Sequence, residues 1–190
     1  FYQECLENDI KPIIGVDCYV AIRTRHDKEA RIDNMRTRLL LLAQNNTGYQ
    51  NLLKLVTYSF LEGFYYKPRI DKELIEKYKS GLIAILPSFV KTNVEELTQF
   101  YQKTFGPEHF YMEITRHPEI SGHDETIKEH LAVAEKYSIP LIAAHDVYYL
   151  DPEDKAVRDT ILSIQGYMSG GNGRVFGDES EDFSLISTKT

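Results

Sequence analysis

An α/β fold, either a parallel sheet or an incomplete βα barrel, is predicted by the order of apolar patterns along the chain. Roughly five apolar runs of strand length alternate with five stretches in which apolar residues recur at helical spacing. The length of 190 residues and the apolar fraction of 42% suit one domain with a sizeable core. The sequence contains no apolar stretch of about 18 residues, so no membrane-spanning helix is expected.

The predicted strands are short and rich in Ile, Leu and Val, as is typical of buried strands flanked by helices. They cover residues 11–20, 39–43, 81–86, 109–114 and 139–144, with a further short strand expected at 183–186. Residues 23–37 are polar and show no period, so they are interpreted as a loop, although a short solvated helix fits them nearly as well. Residues 64–70 are interpreted as an aromatic, basic loop.

Helices are predicted where apolar residues recur every three or four positions beside capping residues. Residues 1–8 resemble the second half of an amphipathic helix, so we expect further polypeptide upstream. Asp71 is expected to begin a short helix, Thr92 to cap the next and Asp124 to start another, and the last helix is expected over 152–165. The residues expected on inward faces are Leu52, Leu53, Val56, Phe60, Val94, Leu97, Tyr101, Ile127, Leu131, Ala134, Val157, Ile161 and Ile164.

Charge and cysteine content limit the class of protein. The chain carries 22 basic and 29 acidic side chains, a net charge of -7, which argues against tight nucleic-acid binding by this segment alone. Its 2 cysteines form no CxxC pair, which fits a reducing, cytoplasmic setting. We assign residues 1–165 to one domain, and 166–190 to a mobile Gly/Ser-rich loop followed by a final short strand.

Polar side chains follow three of the predicted strands and are the candidates for chemistry. Asp17 lies on the first strand, Ser88 follows the third, and His145 and Asp146 follow the last. If these strands are parallel, their ends meet at one edge and could bind Zn²⁺, Mn²⁺ or Mg²⁺. The alternative is that Asp146 caps the next turn. The remaining histidines considered, His109, His117, His123 and His130, are expected to be exposed.

The loop at 64–70 offers a second candidate surface. Tyr65, Lys67 and Arg69 combine a ring with two cations, a set that can stack on bases and contact phosphates or a partner. The alternative is that the rings lie on the fold while the charges stay in water.

Five segments resemble the PHP (polymerase and histidinol phosphatase) domain, most of all the branch carried by bacterial replicative DNA polymerase III alpha subunits. They are residues 15–20 (GVDCYV), 42–52 (LAQNNTGYQNL), 62–71 (EGFYYKPRID), 81–84 (GLIA) and 144–150 (AHDVYYL). The resemblance implies a distorted (βα)7-type barrel, incomplete here because the family's first strands, with their HxH ligands, would precede Phe1. It also implies a metal site at the strand ends.

The ligand positions that the resemblance implies are mostly substituted. Asp17 stands for the usual Glu, Arg38 for a His, Ser88 for a Cys and Tyr148 for a His. At Asp146 the sequence has the aspartate that the resemblance implies. A guanidinium stays protonated in proteins and cannot ligate a cation, so we expect Arg38 to form a salt bridge with a strand-end carboxylate instead.

The resemblance therefore implies a PHP segment with a degenerate metal site and a structural or docking role, with no cofactor of its own. Its implied partners are the polymerase core of the same polypeptide, a proofreading exonuclease and other replisome subunits, and DNA through the parent protein, which would use Mg²⁺. The alternative is a metal-dependent phosphoesterase or 3′–5′ exonuclease holding Zn²⁺ or Mn²⁺. A third interpretation is a pure protein-interaction module. It differs from the first interpretation, a PHP segment with a docking role, only in having no polymerase downstream.

Overall fold

The computed structural model describes residues 1–115, 122–145 and 147–168. The helices are α1 Tyr2–Glu7, α2 Asn46–Leu61, α3 Lys72–Tyr78, α4 Val94–Phe105, α5 His123–Tyr137 and α6 Lys155–Met168. The strands are β1 Gly15–Ala21, β2 Arg36–Ala43, β3 Arg69–Ile70, β4 Leu82–Leu86, β5 Phe110–Ile114 and β6 Leu141–Ala143. None of the described helices is long and apolar enough to span a membrane. The predicted α/β class is confirmed.

The described strands form one mixed sheet in the order β3-β1-β2-β4-β5-β6. The expected parallel pairing holds for β4, β5 and β6. Arg69 and Ile70, which were predicted to belong to a loop, instead form β3, which pairs in parallel with β1. The expected parallel pairing is wrong for β2, which runs antiparallel to both β1 and β4. The reason is that β1 and β2 form a hairpin joined by residues 22–35, whereas a parallel connection needs a crossover.

The main core lies between one face of this sheet and helices α2 to α5. It contains Cys18, Val20, Leu39, Leu41, Ala84, Leu86, Phe110 and Met112 from the strands, and Leu52, Leu55, Leu74, Ile75, Val94, Leu97 and Val133 from the helices. Because strand side chains alternate between faces, the intervening residues lie on the opposite face. That face carries the candidate site.

Helix α2 begins with a local cap and a close backbone contact. The side chain of Asn45 accepts a hydrogen bond of 3.0 Å from the Gly48 N–H. Gly48 also lies against Gly81, whose carbonyl oxygen would be 1.8 Å from a Cβ added at Gly48. Only glycine at position 48 lets the first turn of α2 approach the start of β4 this closely.

The inward face predicted for α2 is partly wrong. Leu52 is buried, and Leu55 lies beside it in the core, but Leu53 is 51% exposed and Phe60 is 56% exposed. The helix is apolar on two sides, so sequence periodicity alone did not show which side faces the sheet.

The boundaries of α3 and α4 are close to those predicted. Asp71 caps α3, its carboxylate accepting from the Leu74 N–H at 3.0 Å. The cap of α4 is Asn93 and not Thr92, because Asn93 adopts the left-handed conformation just before Val94.

The face of α5 that is buried in the fold differs from the predicted one. Leu131 is 41% exposed, whereas His123 and His130 are 1% and 0% exposed. The prediction of exposed histidines is therefore wrong for these two. Each ring finds a hydrogen-bond partner inside the fold: Nε2 of His130 lies 2.8 Å from the carbonyl oxygen of Val90.

Helix α6 follows a short 3-10 turn at Pro152–Asp154 and extends past residue 165. The predicted inward residues Val157, Ile161 and Ile164 are all exposed in the described structure. Asp146, the strand predicted at 183–186 and residues 169–182 of the predicted loop lie outside the described residues.

Candidate functional site

Side chains from several strand ends surround a cavity of about 220 Å³ on the face of the sheet opposite the core. Its walls are Asp17, Arg38, Leu40, Pro87, Phe89, Glu113, His145, Val147 and Tyr148. The structure thus brings together Asp17, Arg38, His145 and Tyr148. Of the residues expected at one edge of the sheet, Asp17 and His145 line this cavity, Ser88 lies behind it, and Asp146 lies outside the described residues. The antiparallel β2 does not prevent this, because Arg38 lies in its first half.

The central feature of this cavity is a two-point ion pair between Arg38 and Asp17. Nε of Arg38 donates to Oδ1 of Asp17 at 3.1 Å, and Nη2 donates to Oδ2. Arg38 lies opposite Tyr19 in the β1–β2 register, which makes Asp17 its diagonal neighbour on the same face. The hydrogen bond to Asp17 raises the pKa of Arg38. The predicted salt bridge with a strand-end carboxylate is confirmed.

A second carboxylate, Glu113, was missed by the sequence analysis. It lies on β5, and its Oε1 accepts from the Ser88 N–H at 3.2 Å and from the Ser88 hydroxyl at 3.1 Å. Ser88 is fully buried and also lies 2.6 Å from the hydroxyl of Thr115. The available signal was a charged residue alternating with buried Phe110 and Met112 near a strand end.

The hydrogen bonds continue from this carboxylate into α5. Nε2 of His123 lies 3.3 Å from Oγ1 of Thr115 and 3.2 Å from its carbonyl oxygen. A line of polar groups therefore connects Glu113 in the cavity, through Ser88 and Thr115, to a histidine at the start of α5. Ser88 acts as a link in this network.

The far wall of the cavity comes from the segment after β6. Tyr148 is 55% exposed, and the guanidinium of Arg158 in α6 lies 4.5 Å from its ring centroid. This cation–π contact holds the ring between α6 and the cavity. His145 lines the same cavity, while its neighbour Asp146 lies outside the described residues.

The described donors of this cavity are few, and one of them is already paired. In the parts of the chain that the structure describes, no three His, Cys, Asp or Glu side chains lie close enough together to hold one. Asp17, which a metal would need, already has both oxygens on a guanidinium. The positive charge of Arg38 would also repel a cation.

The candidate surface at 64–70 is corrected for Arg69. Its side chain is fully buried and donates to the carbonyl oxygens of Gly63, Asp33, Arg25 and Asp27 at 3.1, 2.6, 3.2 and 2.9 Å. Arg69 therefore cannot contact a nucleic acid or a partner, because its donors hold the fold together. Lys67 is exposed, and the Tyr65 ring lies against that of Tyr66 with centroids 4.7 Å apart.

Arg25, in the loop at 22–35, also ties this loop to the rest of the fold. It pairs with the carboxylates of Asp71 at 2.9 Å, Glu62 at 2.6 Å and Glu73 at 2.9 Å. Asp71 thus caps α3 and fixes this loop at the same time. The sequence contains the charges, but separations of 37, 46 and 48 positions between Arg25 and Glu62, Asp71 and Glu73 hide the pairing.

Comparison with known proteins identifies the family of this chain. The model of the PHP domain family matches residues 1–117, and the chain belongs to that family. Its relatives include the DNA polymerase III subunit alpha of Borreliella burgdorferi, 37% identical over 95% of this chain and 16% of that protein. The same subunit of Aquifex aeolicus is 34% identical and that of Thermus aquaticus 35%, each over 87% of this chain and over 16% and 14% of those proteins. The chain therefore spans about one sixth of the length of these relatives.

Proposed function

We propose that this chain is the PHP segment of a bacterial replicative DNA polymerase III alpha subunit, in which it has a structural and docking role. The family match over residues 1–117 supports the PHP assignment. Relatives that are 37% and 35% identical, both named DNA polymerase III subunit alpha, support the parent protein. Copying DNA then belongs to the rest of the parent polypeptide and uses Mg²⁺ there.

The ion pair of Arg38 with Asp17 is the observation that carries the structural role. It occupies the position at which the family resemblance implies a histidine and a carboxylate around a metal ion. A permanent cation on β2 neutralises the carboxylate on β1, as a bound metal would, and cannot activate water for hydrolysis. We propose that the metal site is degenerate and that the six described strands are part of the family's distorted βα barrel.

The partners follow from the parent protein. We propose that the segment packs on the polymerase core of the same polypeptide and provides a surface for a proofreading exonuclease or other replisome subunits. DNA contact is made through the parent protein, consistent with the net charge of -7 on this chain. The setting is the bacterial cytoplasm.

The test uses the full-length parent protein carrying Asp17→Asn, with Glu129→Gln on the exposed side of α5 as the control. Asp17 and Glu129 are both exposed. The loss of the ion pair between Arg38 and Asp17 should therefore lower the free energy of unfolding by less than about 1 kcal/mol. We expect primer extension at the wild-type rate from both variants, and no metal-dependent hydrolysis by the wild type.

The rival function, a metal-dependent phosphoesterase or 3′–5′ exonuclease, gives a different result. It requires hydrolysis by the wild type that Asp17→Asn abolishes while the melting temperature stays unchanged. Reading the gene beyond Thr190 provides a separate test of the parent. Absence of a pair of polymerase carboxylates there would refute the polymerase assignment.

A further inference from the structure

The turn after α2 presents an exposed aromatic ring in an uncommon backbone conformation. Tyr66 is 69% exposed and has a φ of 59°, in the left-handed region that bulky residues rarely adopt. The N–H of Tyr65 donates to the carbonyl oxygen of Lys67 at 3.1 Å, so Tyr66 lies at the tip of the turn. Pro68 favours an extended conformation at Lys67, which leaves the reversal to Tyr66. Such a conformation persists only where surrounding contacts hold it, and it is frequent at functional sites.

Buried contacts hold this turn against a neighbouring loop. The guanidinium of Arg69 lies 5.3 Å from the centroid of the Tyr65 ring, which is inclined by 67° to the Tyr66 ring beside it. The same guanidinium donates to the carbonyl oxygens of Asp27 and Asp33 at 2.9 and 2.6 Å. The position of the Tyr66 ring is therefore fixed by the fold, while most of its surface stays in water.

Three exposed cations lie around this ring. Lys67 follows Tyr66 directly, and Lys28 and Arg31 come from the loop at 22–35, within two positions of the carbonyl oxygens that the buried guanidinium holds. Arg31 also adopts the left-handed conformation, with a φ of 71°. In the part of the chain that the structure describes, none of the three cations lies within ion-pair distance of a carboxylate. We call Tyr66, Lys67, Lys28 and Arg31 the Tyr66 surface.

The carboxylates of the loop at 22–35 are occupied by other groups. Arg23 forms ion pairs with Glu29 and with the buried Asp33. Asp27 accepts from the N–H and the hydroxyl of Thr24 at 3.0 and 2.6 Å. The three exposed cations are therefore available to an anionic ligand.

We propose that the Tyr66 surface binds single-stranded DNA, with one base stacked on the Tyr66 ring and neighbouring phosphates on the three cations. This inference rests on the proposed function, because a polymerase works beside a single-stranded template. An exposed ring among cations suits any sequence, since every base has a face that can stack. Duplex DNA keeps its bases stacked on one another and presents none to the ring.

The ring distinguishes a nucleic acid from an acidic protein segment. An acidic segment would engage the cations, but it does not carry a planar ring and an anion at every position along its chain. Single-stranded DNA carries both, at the spacing of one nucleotide. The fixed position of the Tyr66 ring also lowers the entropy lost when a base stacks on it.

The expected contributions follow from the two kinds of contact. Each phosphate contact on single-stranded DNA contributes about 0.7 to the dependence of log affinity on log salt concentration, so three cations contribute about 2. Loss of a stacked base weakens binding by about five-fold or more. The net charge of -7 on the chain keeps the site weak by itself, so it adds to binding by the rest of the parent protein.

Photocross-linking in the full-length parent protein tests the site. A photoreactive phenylalanine analogue replaces Phe64, which is 49% exposed and lies two residues before Tyr66, and the probe is labelled oligodeoxythymidylate. The same analogue at Tyr49, at the other end of α2, is the matched control. The cross-linking yield as a function of oligonucleotide concentration gives the local affinity.

The variants remove the ring or the cations without disturbing the turn. Tyr66→Gly removes the ring and keeps the turn, because glycine adopts a positive φ readily. If that variant fails to fold, Tyr66→Asn, which tolerates the same conformation, gives the same readout. Lys28→Gln combined with Lys67→Gln removes two cations, and Lys128→Gln on the exposed side of α5 is their control.

We expect oligonucleotide cross-links at position 64 and not at position 49. Tyr66→Gly should lower the local affinity by about five-fold or more, and the double lysine variant should lower the salt dependence by about 1.4, whereas Lys128→Gln changes neither. Equal cross-linking at both positions overturns the proposal, as does an affinity or a salt dependence that the variants leave unchanged. Cross-links from position 64 to a partner protein that the oligonucleotide does not displace overturn it as well.

Failure of this site and failure of the proposed function give different results. A parent protein that cross-links the oligonucleotide at position 64 but does not extend primers refutes the proposed function and leaves the site standing. Primer extension without cross-linking at position 64 refutes the site alone.

Discussion

Replacing Arg69 with leucine should destabilise the chain more than any surface substitution. The buried guanidinium donates to four carbonyl oxygens, three of them in the loop at 22–35. Leucine fills part of the space but donates nothing. At a net value of about 1 kcal/mol for each hydrogen bond, the loss is roughly 3–5 kcal/mol. That is a large part of the roughly 5–15 kcal/mol that stabilises a typical domain.

Urea unfolding followed by circular dichroism measures this loss, with Lys67→Ala as the matched control in the same turn. Lys67 is exposed, so its removal should change the free energy of unfolding by less than about 0.5 kcal/mol. Arg69→Lys keeps the charge but cannot reach four separate carbonyls, so it should recover less than half of the loss. A cost below about 1 kcal/mol for Arg69→Leu would refute the role of this side chain as an anchor.

Three further predictions concern the core and the loop at 22–35. Gly48→Ala should prevent native packing at α2, because the new Cβ would lie 1.8 Å from the carbonyl oxygen of Gly81, and retention of the wild-type melting temperature would contradict this. The hydrogen bond from Arg23 lowers the pKa of Asp33 from 3.8 to about 2. The ionised Asp33 carboxylate therefore contributes its full stabilisation above pH 3.8, and this contribution is lost as the pH falls through about 2. An acid titration of the stability of Asp33→Asn should lack this step. Burial raises the pKa of Cys18 to about 12, so iodoacetamide at pH 8 should label it on unfolding but not in the native protein, as tested by peptide mass spectrometry.

Local patterns in the sequence predicted the elements well. Apolar runs identified strands, and Asp71 identified the start of α3, because capping depends on neighbours within a few positions. A salt bridge of Arg38 with a strand-end carboxylate was also predicted, from the chemistry of a guanidinium at an implied ligand position, and the structure shows that its partner is Asp17. The strands and the cap needed only a residue and its immediate surroundings, whereas the salt bridge also needed the family resemblance.

The features that were missed depend on contacts between distant parts of the chain. Arg69 in an aromatic, basic run suggested an exposed surface, yet three of its four acceptors are backbone carbonyls from 36 to 44 positions away, which no side-chain pattern reveals. His123 and His130 are buried for the same reason, since carbonyl oxygens within the fold satisfy Nε2 of each ring. The direction of β2 was missed because its four consecutive leucines fit either pairing.

The proposal that Arg38 replaces a metal ion beside Asp17 is tested most directly by measuring the metal content of the protein. The full-length parent protein is purified without chelators, equilibrated with Zn²⁺ and Mn²⁺, desalted, and measured by mass spectrometry of its metals. A matched Arg38→His variant restores an imidazole in place of the guanidinium. We expect less than about one tightly held ion per wild-type chain, because Arg38 already neutralises Asp17. Two or three ions bound beside those two residues in the wild type would contradict the account.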